Sequence, residues 1–110
     1  MEEIKNSELY TALSGNFELQ AQPDVSFDEI KKRVESVIRE LLDKNMEKLL
    51  SVLYIIDVDQ KKTDRIFSIE SKDDMAPLLA DAVIERQIEK LQTRMKYKSE
   101  NPNGIRGELE

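Results

Sequence analysis

From Phe27 to Ile56, apolar side chains return at every third or fourth position, and this stripe limits the fold more than any other feature. Phe27, Ile30, Val34, Val37, Ile38, Leu41 and Leu42 carry its first half, and Leu49, Val52, Leu53 and Ile56 carry its second. Such spacing lines one face of an α-helix, whereas a half-buried strand alternates with a period of two. Ser26-Phe27-Asp28-Glu29 opens the segment in capping-box form: the Ser26 hydroxyl accepts from the first turn and Glu29 reaches back. Asn45 is the polar interruption. The stripe predicts one helix over 27–56, about 45 Å long. A kink at Asp43-Lys44-Asn45 is open to it, although no Gly or Pro forces one. Asp28–Lys32, Glu29–Arg33, Glu35–Arg39 and Glu40–Lys44 set acid before base at the spacing that supports a helix surface.

The run Val52-Leu53-Tyr54-Ile55-Ile56-Asp57-Val58 also suits a strand, with 65–70 as a hairpin partner. Helix is the better reading, because Leu49, Val52, Leu53 and Ile56 continue the preceding stripe. Asp57-Val58-Asp59-Gln60 then stops one helix and caps the next, with Gln60 as a capping Gln, and a short helix over 58–68 turns Ile66 and Phe67 inward. A third helix is predicted over 74–97, capped by Asp73 or Asp74. Pro77 falls in its first turn, and Leu79, Val83, Ile84, Ile88, Leu91 and Met95 form its apolar stripe.

The N-terminal residues 2–13 read as a short helix, with Ile4, Leu9, Tyr10 and Leu13 on one side and a stop at Gly15-Asn16. Residues 15–25 read as a connector anchored by Phe17 and Leu19, with Pro23 blocking helix, and residues 99–110 as a mobile tail. These elements predict an all-α antiparallel helical bundle, a single domain over 1–98. If one small chain cannot cover the end of so long a helix, a symmetric dimer would do so.

Composition removes several kinds of chemistry. The 110 residues include no Cys, which excludes thiolate nucleophiles and disulfides, and no His, the commonest general acid–base and metal ligand. The net charge of −6 argues against non-specific nucleic-acid binding by the whole domain. The N-terminus lacks the apolar stretch of a signal peptide, and the longest apolar run, 52–56, falls far short of the roughly 20 residues of a membrane span. These readings point to a cytoplasmic, non-enzymatic protein without metal or cofactor.

Two ladders of like charge on the last helix are the candidate site. Asp81, Glu85 and Glu89 stand four residues apart, as do Arg86, Lys90, Arg94 and Lys98. Like charges at that spacing destabilise an isolated helix by roughly 0.2–0.5 kcal/mol per pair. An arrangement that works against its own helix has its use elsewhere, in a protein partner, a second copy or a stretch of phosphates. Arg86, Lys90 and Tyr97 lie nearly opposite Ile88 on a helical wheel, which predicts that they face solvent. The plain alternative is a solvated face, with Lys96 and Lys98 favoured by the dipole of the helix C-terminus.

Other constellations carry less. Asp57-Val58-Asp59 with Asp64 lacks the remaining ligands, central Gly and closing Glu of a calcium loop, so helix capping explains it better. Glu2–Glu3 and Asp73–Asp74 have no setting that would raise a carboxylate pKa. Ser14-Gly15 and Asn103-Gly104 lack the spacing of a phosphate loop, and Met46, Met75 and Met95 read as core filler.

Two stretches, Leu53-Tyr54-Ile55-Ile56-Asp57-Val58-Asp59-Gln60-Lys61-Lys62 and Ile84-Glu85-Arg86-Gln87-Ile88-Glu89-Lys90-Leu91-Gln92-Thr93-Arg94, resemble a group of small uncharacterised helical proteins of Bacteroidetes-type bacteria. The resemblance implies a bacterial cytoplasmic setting and a helical fold, and it brings no activity. The function expected is that of a helical interaction or self-associating domain. The alternative is a small nucleic-acid-associated protein that uses the basic stripe of the last helix.

Overall fold

A computed structural model describes residues 4–19 and 25–100, with side chains described as far as Lys96. Among these residues the chain forms five helices and no strand: α1 Asn6–Phe17, α2 Phe27–Lys44, α3 Met46–Ile56, α4 Gln60–Phe67 and α5 Lys72–Glu100. The all-α bundle is as expected, and α3 and α4 occupy the stretch where a hairpin was the alternative. The predicted helix start at residues 2–3, Pro23, and 101–110 of the expected tail lie outside the described residues.

The stripe over 27–56 builds two helices instead of one. Asn45 leaves the helical region at φ −152° and ψ 75°. Its amide still donates to the Leu41 carbonyl at 2.8 Å, closing α2, while its side-chain oxygen accepts from the Lys48 amide at 3.1 Å, opening α3. A side chain that caps one helix at the end of another supplies a break that needs neither Gly nor Pro. The opening of α2 follows the capping box read from the sequence, with Ser26 Oγ accepting from the Glu29 amide at 3.1 Å and Glu29 accepting from the Ser26 amide at 3.1 Å.

Gly15 and Asn16 do not end α1. Phe17, which is buried, holds the chain helical for a further turn, and the stop falls at Glu18, in the left-handed region at φ 55°. Asp57 ends α3 in the same way at φ 68°, and Asp59 caps α4 by accepting from the Lys61 amide at 3.2 Å. Gln60 does not act as a capping Gln: its side-chain amide donates to Asp64 at 3.3 Å. α5 begins at Lys72, ahead of Asp73 and Asp74, which leaves Pro77 in its second turn. There the missing amide would have donated to the Asp73 carbonyl.

α2 and α5 run antiparallel, as the ion pairs Lys31–Asp81 and Arg39–Asp73 record. Between them lie Ile30, Val34 and Ile38 of α2 and Leu79 and Val83 of α5, all fully buried. Leu9 and Leu13 close the core from α1, and Leu49 and Ile56 from α3. Ala76, Ala80 and Ala82 are also buried, so α5 meets its neighbours through small side chains. The 49 Å long axis accommodates the 29 residues of α5, about 43 Å of helix. Among the described residues no helix is long and apolar enough to cross a membrane.

Candidate functional site

The charge ladders of α5 meet the other helices of the same chain. Asp81 receives Lys31 of α2 at 2.9 Å, and Glu85 receives Lys62 of α4 at 3.3 Å. The hydrogen bond from Lys31 to Asp81, reinforced by the opposite charge, raises the lysine above its ordinary pKa. Arg86 reaches the end of α3, where Nε donates to the Asp57 carbonyl at 3.0 Å and Nη2 to its carboxylate at 3.2 Å. Glu89 accepts from Nη1 of Arg86 at 3.2 Å. Lys90 approaches the Ile55 carbonyl at 3.5 Å. Arg94 lines a shallow cavity beside Ser7, Glu8 and Thr11 of α1. Tyr97 and Lys98 lie beyond the described side chains.

Arg86 and Lys90 are therefore half-buried rather than turned to solvent. The buried face of α5 is centred on Leu79, Val83 and Gln87, with Ile88 at its margin and only partly covered. A wheel referred to Ile88 misplaces the core by more than a third of a turn, which puts Arg86 and Lys90 on the core side of α5. Four ladder residues, Asp81, Glu85, Arg86 and Lys90, contact α2, α4 and α3 between them. The like-charge cost within α5 is offset by these partners.

The face left over belongs to α3. Leu49, Val52, Leu53 and Ile56 turn inward, while Met46, Leu50 and Tyr54 are 40%, 48% and 86% exposed. These three stand four residues apart and form a second apolar row, about 12 Å long, on the outside of the helix. Met46 is thus not core filler. Ile55, 62% exposed, lies on the other flank, where Lys90 approaches its carbonyl. Four large apolar residues left uncovered on one short helix are unusual for a chain that buries its other stripes well.

Between this row and α4 runs an open groove of about 460 Å³. Leu50, Leu53, Tyr54, Val58 and Phe67 form its apolar floor, and Asp57, Asp59 and Asp64 stand among the lining residues without any lysine or arginine. Asp57 is held by Arg86, Asp59 caps α4, and Asp64 accepts from Gln60. Among the described residues no group of three or more His, Cys, Asp or Glu is placed to hold a metal ion. The groove offers an apolar seat with an acidic rim, a chemistry of recognition. Its sequence signal lay in the uncharged run 49–56, which carries more apolar residues than one helix face can bury.

A further cavity of about 260 Å³ lies where α1, α2 and α3 meet, and there Lys48 holds Glu18 at 2.7 Å. That hydrogen bond and the lysine charge lower the Glu18 pKa. Compared with protein families, curated proteins and solved structures, the chain finds no significant match.

Proposed function

We propose that this chain is a non-enzymatic interaction module whose docking face is the outer side of α3 together with the α3–α4 groove. The observation that carries the reading is the apolar row Met46, Leu50 and Tyr54, left uncovered while the charged ladder residues Asp81, Glu85, Arg86 and Lys90 all engage the chain itself. Exposed apolar rows with a polar rim are the surfaces that helical partners cover. This reading moves the interaction site away from the α5 ladder, and it gives nucleic acid less to hold, because Arg86 and Lys90 have internal partners. The cytoplasmic setting belongs to the same proposal and rests on the sequence alone.

The reading is tested by placing a photo-crosslinking amino acid at position 54 in the source cells, with Lys32, exposed on α2, as the control position. A discrete conjugate formed from position 54, absent from position 32 and lost with Leu50→Lys, is the expected result. Equal conjugation from both positions, or none from position 54, would overturn it.

A further inference from the structure

Resting on that docking reading, we infer that the occupant of the α3–α4 groove is an amphipathic helix whose apolar face is flanked by lysine or arginine. Met46, Leu50 and Tyr54 span about two helical turns, the reach of apolar anchors repeated along one face of a partner helix. Charge then selects among such helices. Residues 49–56 carry no charge; Glu47 stands in the first turn of α3 next to Met46, and Asp57, Asp59 and Asp64 line the groove at the other end.

The cations near this rim are engaged or turned away. Lys44 holds Glu40, Lys48 holds Glu18 and Lys62 holds Glu85, while Arg86 is matched to Asp57 and Glu89, which leaves Asp59 and Asp64 without a cation partner among the described residues. Lys61 and Arg65 project about 110° and about 150° around α4 from the centre of the Gln60, Thr63, Asp64 and Phe67 face that lines the groove. An acidic partner would therefore meet repulsion at both ends. So would a second copy docked α3 against α3: the antiparallel pairing sets Glu47 of one chain toward Asp57 and Asp59 of the other, and the parallel pairing sets each carboxylate against its twin. Basic flanks satisfy the rim in either direction.

The test uses three fluorescein-labelled helical peptides with the same leucine face and with lysine, glutamine or glutamate flanks, titrated by anisotropy. The lysine-flanked peptide is expected to bind the wild-type chain and to weaken as salt rises. Asp59→Asn with Asp64→Asn should weaken it by about three- to tenfold. Asparagine keeps the α4 cap, so the fold stays intact. Leu50→Lys should abolish binding without altering the circular dichroism, and Tyr54→Ser, at a still more exposed position, gives the same readout independently. Equal binding of all three peptides would overturn the basic-flank inference while leaving the docking reading in place. A concentration-dependent dimer lost with Leu50→Lys would assign the groove to a second copy and overturn the inference. Binding that survives Leu50→Lys and Tyr54→Ser would overturn both.

Discussion

Arg86 and Asp57, 29 positions apart, join the middle of α5 to the end of α3. One guanidinium meets both the Asp57 carbonyl and its carboxylate, at 3.0 and 3.2 Å. Asp57 occupies the left-handed region at φ 68°, a conformation that costs a non-glycine residue about 1 kcal/mol. Arg86 holds the chain end that this turn produces. Arg86→Ala should therefore lower stability by about 1 kcal/mol, since the pair is partly solvated. Lysine should restore only part of it, because a single ammonium cannot reproduce the fork. Urea midpoints of the three proteins decide the matter, and an unchanged midpoint for alanine would remove the staple from the account.

Asn45 separates two pictures of the long apolar stripe by sign. As the cap of α3, its change to Ala should cost about 1 kcal/mol. If 27–56 were one continuous helix, the same change would stabilise the protein by about 0.5 kcal/mol through helix propensity. Asn45→Asp should retain most of the wild-type stability. Thermal unfolding of the two variants gives a direct reading.

Gln87 is 7% exposed at the centre of the α5 core face, and among the described residues its amide meets no protein partner. Replacing a buried unpaired amide with an apolar group of similar shape removes a desolvation cost. Gln87→Leu should raise stability by about 1 kcal/mol, or about 4–8 °C in Tm. A lower Tm would show that the amide is satisfied in solution.

Two ion pairs give stability opposite pH dependences. Lys48 holds Glu18 below its ordinary pKa of 4.5, so this contribution is present above that pH and is lost as pH falls through the lowered value. Asp81 holds Lys31 above its ordinary 10.5, so that contribution is complete below 10.5 and fades as pH climbs through the raised value. The stability difference between wild type and Glu18→Gln should be seen at neutral pH and close in acid. For Lys31→Met it should be present at neutral pH and close in strong alkali. A difference that stays constant across the titration would contradict the assignment of the corresponding pair.

Much of the fold was legible in the residues. The stripe from Ile30 to Leu42 and the Ser26–Glu29 box yield α2, although Phe27, read as the start of that stripe, is 44% exposed; Asp57 and Asp59 end one helix and begin another as their chemistry suggests. Asn45 was visible as an interruption, but whether it bends or divides a helix depends on its φ and on the Lys48 amide, which periodicity does not encode. The α5 stripe was legible at Leu79, Val83 and Ile84, which are buried, but a wheel set on Ile88 missed the side filled by Ala76, Ala80 and Ala82, because alanine adds little to an apolar stripe. The charge ladders were conspicuous, yet their partners are Lys31, Lys62 and Asp57, brought close only by tertiary packing. The row Met46, Leu50 and Tyr54 was present in the excess of apolar residues over 46–56. Reading it required knowing which face the core takes.

The most direct test of the docking face is amide chemical-shift mapping of the full chain with the lysine- and glutamate-flanked peptides. Shifts confined to residues 46–67 with the lysine-flanked peptide are the predicted result. Shifts concentrated on residues 86–96 of α5 would return the site to the charge ladder and contradict the central claim.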